Sequence, residues 1–296
     1  MTDVREVVVG YDGSDFSMQA LEWAMDEAEL GRLPLRVVHA WRWPYGEAGE
    51  EARLHLRKAA EHVLYHGADC ARACSTLADV AADLYEGAAA ERLVELSERA
   101  ALIVVGSRGM GTLARTILGS VAGYVAAHAH CPVIVVRGPG PIPVPRERGA
   151  VVVGMSGDTC DGVIGFAFHE ARIRRLRLTA VHAGRLQPPA HDTRITMRAA
   201  EDGMLERLGP WRIACPEVAV RACFAATSAK NLLMDASKEA SLVVVGGARE
   251  HGRLGSTSGS VLQHGFCPVA VVPAGWRSPP HDESASPDSR TSGHLR

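Results

Sequence analysis

The stretch "VVVGYDGSDFSMQALEWAMDEAE" (residues 7–29) returns as "VVVGMSGDTCDGVIGFAFHEAR" (residues 151–172). Each copy opens with a β-branched run cut off at a glycine, Gly10 or Gly154, and continues into a segment of helical character. An apolar run without alternation suits a strand buried on both faces, so the pattern predicts a parallel strand covered by helices. In the first copy Ala20, Leu21, Ala24 and Ala28 form one stripe at helical spacing. The "DGSD" ahead of them supplies N-cap oxygens.

The rest of the chain follows the same duplication. "LRVVHAW" (35–41) matches "LTAVHAG" (178–184), and "AALIVVGSRGMG" (100–111) matches "ASLVVVGGAREHG" (240–252). "CPVIVVRG" (131–138) matches "CPVAVVPAG" (267–275). The offset is 144 at Gly10/Gly154, 140 at Gly106/Gly246 and 136 at Cys131/Cys267. Such a period is too long for a solenoid unit and fits one domain, duplicated. Ile103–Val105, Val243–Val245, Val133–Val136 and Val269–Val272 repeat the buried-strand design, and residues 50–64 and 90–100 carry helical spacing. The alternation predicts an α/β fold: two tandem doubly wound domains, each on a five-stranded parallel sheet. The boundaries read as 1–138 and 149–275, with a Pro-rich linker (139–148) and a disordered Pro/Ser-rich tail (276–296).

Composition sets limits. The 296 residues are 47% hydrophobic and 22% charged, with a formal net charge of −2. No basic footprint points to nucleic acid. No apolar stretch approaches the roughly 18 residues of a membrane span, and "MTDVREVVVG" lacks a signal peptide's features. A cytoplasmic location is the expectation. The seven cysteines include no CxxC pair, which fits reduced thiols. Cys70 and Cys74 share a helical face but lack evident further metal ligands, and "HAHC" (128–131) reads as a helix end running into a strand.

The chemistry-bearing stretch is "IVVGSRGMGTLARTILGS" (103–120). It reads Gly106-x2-Gly109-x9-Gly119-Ser120, after a buried strand. Glycines there let a ligand approach the main chain. A helix beginning at Gly119-Ser120 would offer free N–H groups, an anion site with a hydroxyl added. The spacing is neither GxxxxGK[ST] nor GxGxxG. Arg108 sits inside the loop, either as charge for a phosphate or as a solvated side chain.

Together "VVVGYDGS", "VHA", the glycine spacing and "CPVIVV" resemble the universal stress protein family, in its ATP-binding branch and tandem form. The resemblance implies an adenine-nucleotide alpha hydrolase-like fold, ATP as ligand with Mg2+, and a stress-response regulator. It places Gly10 at the strand end and Asp12 near the ribose and the metal-associated phosphates. The backbone of Ala40 then meets the adenine, and Gly106 and Gly109 border ribose and phosphate. Gly119, Ser120 and Val121 contact the triphosphate. It also implies that the terminal strands pair across a two-fold axis. Here the two halves can make that pair within one chain, as a pseudo-dimer, with a further homodimer and an unidentified protein partner left open.

The second half departs from the pattern. Ser156 stands where Asp12 does, with Asp158 two residues on. Counting from Gly246 gives Gly246-x2-Arg249-x9-Gly259-Ser260, so Arg249 replaces the middle glycine. It would fill the phosphate space or stand in for a metal. Gly259 to Cys267 is also shorter than Gly119 to Cys131, which predicts a lost helical turn. Gly154, Gly246, Gly259 and Ser260 are therefore expected to bind weakly or not at all. No catalytic set is evident: "GYDGS" is no nucleophile elbow, and His39 and His182 read as packed histidines. At most a weak ATPase is expected. The second reading is a nucleotide-independent interaction module acting through dimerisation, the third a phosphoryl-transfer enzyme.

Overall fold

The computed structural model describes the chain except residues 1–4, 45, 47–48, 110–117, 138–148, 158, 185–192, 248–251 and 278–296, with backbone only for 193–200. The linker, most of the tail, Asp158 and Arg249 therefore lie outside the described residues.

The first half runs β1 (Val7–Gly10), α1 (Asp15–Gly31), β2 (Leu35–Trp41), α2 (Glu50–Cys74), β3 (Val80–Glu86), α3 (Ala89–Leu96), β4 (Leu102–Gly106), α4 (Ser120–His128) and β5 (Val133–Val136). The second repeats it: β6 (Ala150–Met155), α5 (Asp161–Ile173), β7 (Arg177–Ala183), α6 (Thr193–Ala214), β8 (Val220–Ala225), α7 (Ala229–Ala236), β9 (Leu242–Gly246), α8 (Ser256–His264) and β10 (Val269–Val272). Ser14 caps α1, its Oγ accepting from the Ser17 N–H at 3.2 Å. A left-handed arginine follows each first helix, Arg32 (φ 52°) at the C-cap of α1 and Arg175 (φ 54°) one residue past the C-cap of α5.

All ten strands form one sheet in the order β3-β2-β1-β4-β5-β10-β9-β6-β7-β8. Pairing is parallel within each half, as the buried valine runs require. The halves meet through an antiparallel pair, with Val269 opposite Val135, Ala270 opposite Ile134 and Val271 opposite Val133. The expected pseudo-dimer is thus made within the chain. In each half the strand order reverses beside the first strand, at β1/β4 and at β6/β9. Crevices for ligands open at the carboxyl ends of such strands.

One expectation fails. No helical turn is lost from the second half, because α4 and α8 are both nine residues long. Their N-caps are Gly119 and Gly255. What is shorter is the preceding loop: residues 107–118 in the first half, 247–254 in the second. At the head of the tail, Trp276 packs edge-on against Phe166, ring centroids 5.7 Å apart.

The helices α1 and α5 also meet at the pseudo-two-fold axis. Glu27 and Glu170 occupy corresponding positions, five residues before Arg32 and Arg175. Both pair with one side chain, Arg174, whose counterpart is Gly31. All three are buried, with side-chain exposures of 4% (Glu27), 1% (Glu170) and 5% (Arg174). Arg174 Nε donates to Glu170 Oε2 at 3.0 Å, and Arg174 Nη2 contacts Glu27 Oε1. The Trp23 indole N–H donates to Glu27 Oε1 at 2.7 Å, and the guanidinium lies 4.2 Å from the Trp23 ring centroid. Burial, then the Glu27 charge, push the Glu170 carboxyl up to about 8.

Removing one partner of such a cluster leaves a buried charge uncompensated. Arg174→Ala is expected to cost about 3–5 kcal/mol of stability in denaturant titration. Glu170 gives a pH signature as well. Its folded pKa lies above the ordinary value of 4.5, so the native state keeps a proton that the unfolded chain releases. This group's contribution to stability therefore falls as pH rises from the ordinary carboxyl range to about 8 and is level above that. Glu170→Gln should flatten that slope in melts taken across the window.

Candidate functional site

A cavity of about 510 Å3 opens at the β1/β4 switch point. All nine candidates of the first half line it. Gly10 and Asp12 follow β1, and Ala40 ends its wall on β2. Gly106, Arg108 and Gly109 come from the loop after β4. Gly119, Ser120 and Val121 form the N-terminus of α4, whose free N–H groups and positive dipole end face the cavity.

Why these residues are glycines differs from place to place. At Gly109, an added Cβ would run into Asp12 Oδ2. The loop and the carboxylate are thus in contact range, and any side chain at this position would displace Asp12 Oδ2. At Gly106, an added Cβ would lie 2.6 Å from the backbone oxygen of Phe16. That glycine serves the close passage of β4 under α1, not the approach of a ligand alone.

The carboxylate is fixed in place. Ser14 donates to Asp12 Oδ1 twice, from its N–H at 3.0 Å and its hydroxyl at 2.5 Å. Arg108 is neither plainly solvated nor paired like a surface arginine. Its guanidinium lies 4.0 Å from the centroid of the Phe16 ring, and its buried Nε has no hydrogen-bond partner among the described residues. An oriented cation with an unsatisfied buried N–H favours an anion beside it. The neighbouring Ser107 is fully buried, and its hydroxyl also lacks a partner among the described residues.

Several lining residues were not read from the sequence as part of the site. His39 donates from Nδ1 to the Tyr11 carbonyl at 2.8 Å, which fixes its tautomer and leaves it part of the wall. The buried Tyr11 hydroxyl meets His66 Nδ1 at 2.9 Å. Burial first, then the Cys70 and Asp12 charges, raise the Tyr11 pKa. Leu93 on α3 closes the apolar side. Its repeat partner Leu233 was the signal available in the sequence.

The second half has a cavity of about 490 Å3 at the β6/β9 switch point. Gly154 and Gly246 line it, whereas Gly259 and Ser260 do not. The segment "GSTSGS" offers two Gly-Ser pairs, and the helix starts at the earlier one. Gly255 and Ser256 are therefore the counterparts of Gly119 and Ser120. Ser156 lines this cavity, and no carboxylate does among the described residues.

The fit of a divalent cation can be judged from these donors. Among the described residues, no group of three His, Cys, Asp or Glu side chains is placed to hold a metal. Cys70 and Cys74 bring their sulfurs to 3.9 Å and have no third ligand of that kind among the described residues. Among the described lining residues, Asp12 alone offers a carboxylate to the first cavity. That suits Mg2+ arriving on a nucleotide, since Mg2+ is commonly held by one or two carboxylates plus phosphates.

The fold and site define a tandem doubly wound α/β protein with a ligand-sized cavity at each switch point, and among the described lining residues only the first carries a carboxylate. The universal stress protein family model matches residues 4–137 and again 147–273, so the chain belongs to the universal stress protein family. A universal stress protein of Mycobacterium tuberculosis is 31% identical over 269 residues, covering 86% of this chain and 90% of that protein. One of Mycobacterium bovis is 30% identical over 302 residues, covering 90% of this chain and 94% of that protein. A universal stress protein structure from Archaeoglobus fulgidus superposes with a TM-score of 0.71 at 21% identity, covering 92% of this chain and 99% of that one. That likeness supports the fold. Among the described residues, no helix is long and apolar enough to cross a membrane.

The Asp12–Gly109 contact gives a direct test. Gly109→Ala sets a methyl group against Asp12 Oδ2, and driving that side chain off its rotamer costs about 0.5–1.5 kcal/mol. Adding Asp12→Ser, the residue found in the second half, should restore most of the loss. Equilibrium unfolding of the two variants in urea measures the coupling.

Proposed function

We propose that the first half binds ATP with Mg2+, and that this binding, rather than fast turnover, is the basis of a role in stress regulation. The observation that carries the reading is the Asp12 carboxylate held against Gly109, at the mouth of the α4 N-terminus. Three features support it. The volume lies within the range of about 300–1,000 Å3 common to small-molecule sites. Val38, Ala40 and Leu93 offer an apolar slot for a base. Arg108, Ser120 and the helix N-terminus gather positive potential where phosphates would lie. Asp12 would hold Mg2+ arriving with the nucleotide, and the ion would offset the negative charge of the phosphates.

Slow turnover follows from what the wall offers. His39 spends its Nδ1 proton on a backbone carbonyl, and Asp12 Oδ1 already accepts two bonds from Ser14. A base set to orient an attacking water, which fast phosphoryl transfer requires, does not stand out among the described lining residues. The interaction-module reading draws on strand-edge dimerisation, and here β5 and β10 already pair with each other.

Asp12→Asn tests the reading. It keeps the shape and the contact with Ser14 while removing the charge. Calorimetric titration should show Mg-ATP binding weakened by at least about tenfold, with little change for ATP in chelator. Equal affinity of variant and parent for Mg-ATP would overturn the assignment.

A further inference from the structure

The two cavities have nearly the same volume, about 510 and 490 Å3, and differ most in the polar groups at one end. The apolar end is kept. Val38, Ala40 and Leu93 in the first half answer to Val181, Ala183 and Leu233 in the second. The histidine tie is kept too, with His182 donating from Nδ1 to the Met155 carbonyl at 3.1 Å.

The polar end is rebuilt. Ser156 replaces the carboxylate, and the loop leading to the helix is four residues shorter, 247–254 against 107–118. On the first turn of α8, Thr257 and Ser258 stand where α4 has Val121 and Ala122. Ser258 donates to the Gly246 carbonyl at 2.8 Å, tying the helix start to the strand end. Arg253 brings a cation from the far end of the loop.

We propose that the second cavity is a metal-independent site for a nucleoside carrying a single phosphate. The inference rests on the reading of the first cavity as a nucleotide site, from which the matching apolar end takes its meaning. The charges decide the rest. A triphosphate needs a divalent cation, and the described lining residues of the second cavity include no carboxylate to hold one. Arg253 supplies one positive charge, and the N-terminus of α8 adds roughly half of one. Together they balance a phosphate monoester, which carries about −1.5 to −2 at neutral pH. The hydroxyls and the free N–H groups of the α8 N-terminus supply the donors.

The test uses the full chain, with AMP, adenosine and Mg-ATP as probes in calorimetry. Ala40→Trp fills the apolar end of the first cavity, and Ala183→Trp that of the second. Gly246→Leu is a second block, since the nearest atom to an added Cβ there is Val163 Cγ2 at 3.8 Å. In chelator, AMP binding should survive Ala40→Trp and weaken by at least about tenfold in Ala183→Trp and in Gly246→Leu. Adenosine should bind at least about tenfold more weakly than AMP. Ser156→Asp, which returns a carboxylate to the wall, should weaken AMP in chelator by a similar factor. AMP binding that is unchanged by both blocks, or that needs Mg2+, would overturn the proposal. The Mg-ATP arm reads the first cavity separately. Survival of Mg-ATP binding in Ala40→Trp sinks the first-half reading, whatever AMP does.

Discussion

Everything in this molecule hangs on one antiparallel strand pair. Val133–Val136 and Val269–Val272 are buried and lie edge to edge, turning two five-stranded sheets into one of ten. Exposed, two such flat apolar edges would recruit other chains. Paired, each protects the other, and each buried valine or isoleucine contributes about 1.5–3 kcal/mol over leaving it in water. The pair also sets the distance between the two crevices. Arg137, just past β5, donates to the carbonyl of Gly265 at 3.1 Å and so caps the C-terminus of α8. In return, the ring of His128 at the end of α4 lies against Gly252 in the loop of the second cavity. Each cavity's helix thus begins at its own site and ends on the other half.

Within that shared frame the two halves have diverged by coupled substitutions. Asp12 and Gly109 are one unit, because the carboxylate occupies the space that a side chain at the loop position would need. Once Ser156 replaced the aspartate, the second loop was released from that demand. The Glu27–Arg174–Glu170 cluster shows the same logic at the axis. Exact symmetry would place two carboxyl groups together with no cation, and one arginine on one side resolves it. Duplication supplies the architecture, and single-sided changes give the halves different chemistry.

Much of this was legible in the sequence, for physical reasons. Central strands buried on both faces read as unbroken valine runs, so β1, β4, β5 and their copies were placed to within a residue or two. The edge strands β3 and β8 escaped, because "VAADLYE" and "VRACFA" are only partly buried and carry no continuous apolar signal. The helix α2 runs ten residues beyond the stretch read as helical, its face toward the sheet made mostly of alanine and glycine. In the first half the whole constellation around Gly106 came together in one cavity as expected. In the second, counting glycines across a shortened loop selected Gly259 and Ser260, whereas the helix cap is Gly255. Spacing carries over between repeats only while loop length is conserved. A contact such as Asp12 with Gly109, made across 97 positions of chain, has no local signature at all.

The central claim is that the two halves share a fold but not a ligand chemistry. Counting bound nucleotide addresses it most directly. Equilibrium dialysis of the full chain against saturating Mg-ATP should find one nucleotide per chain. Two equivalent nucleotides per chain, filled with the same affinity, would contradict the account.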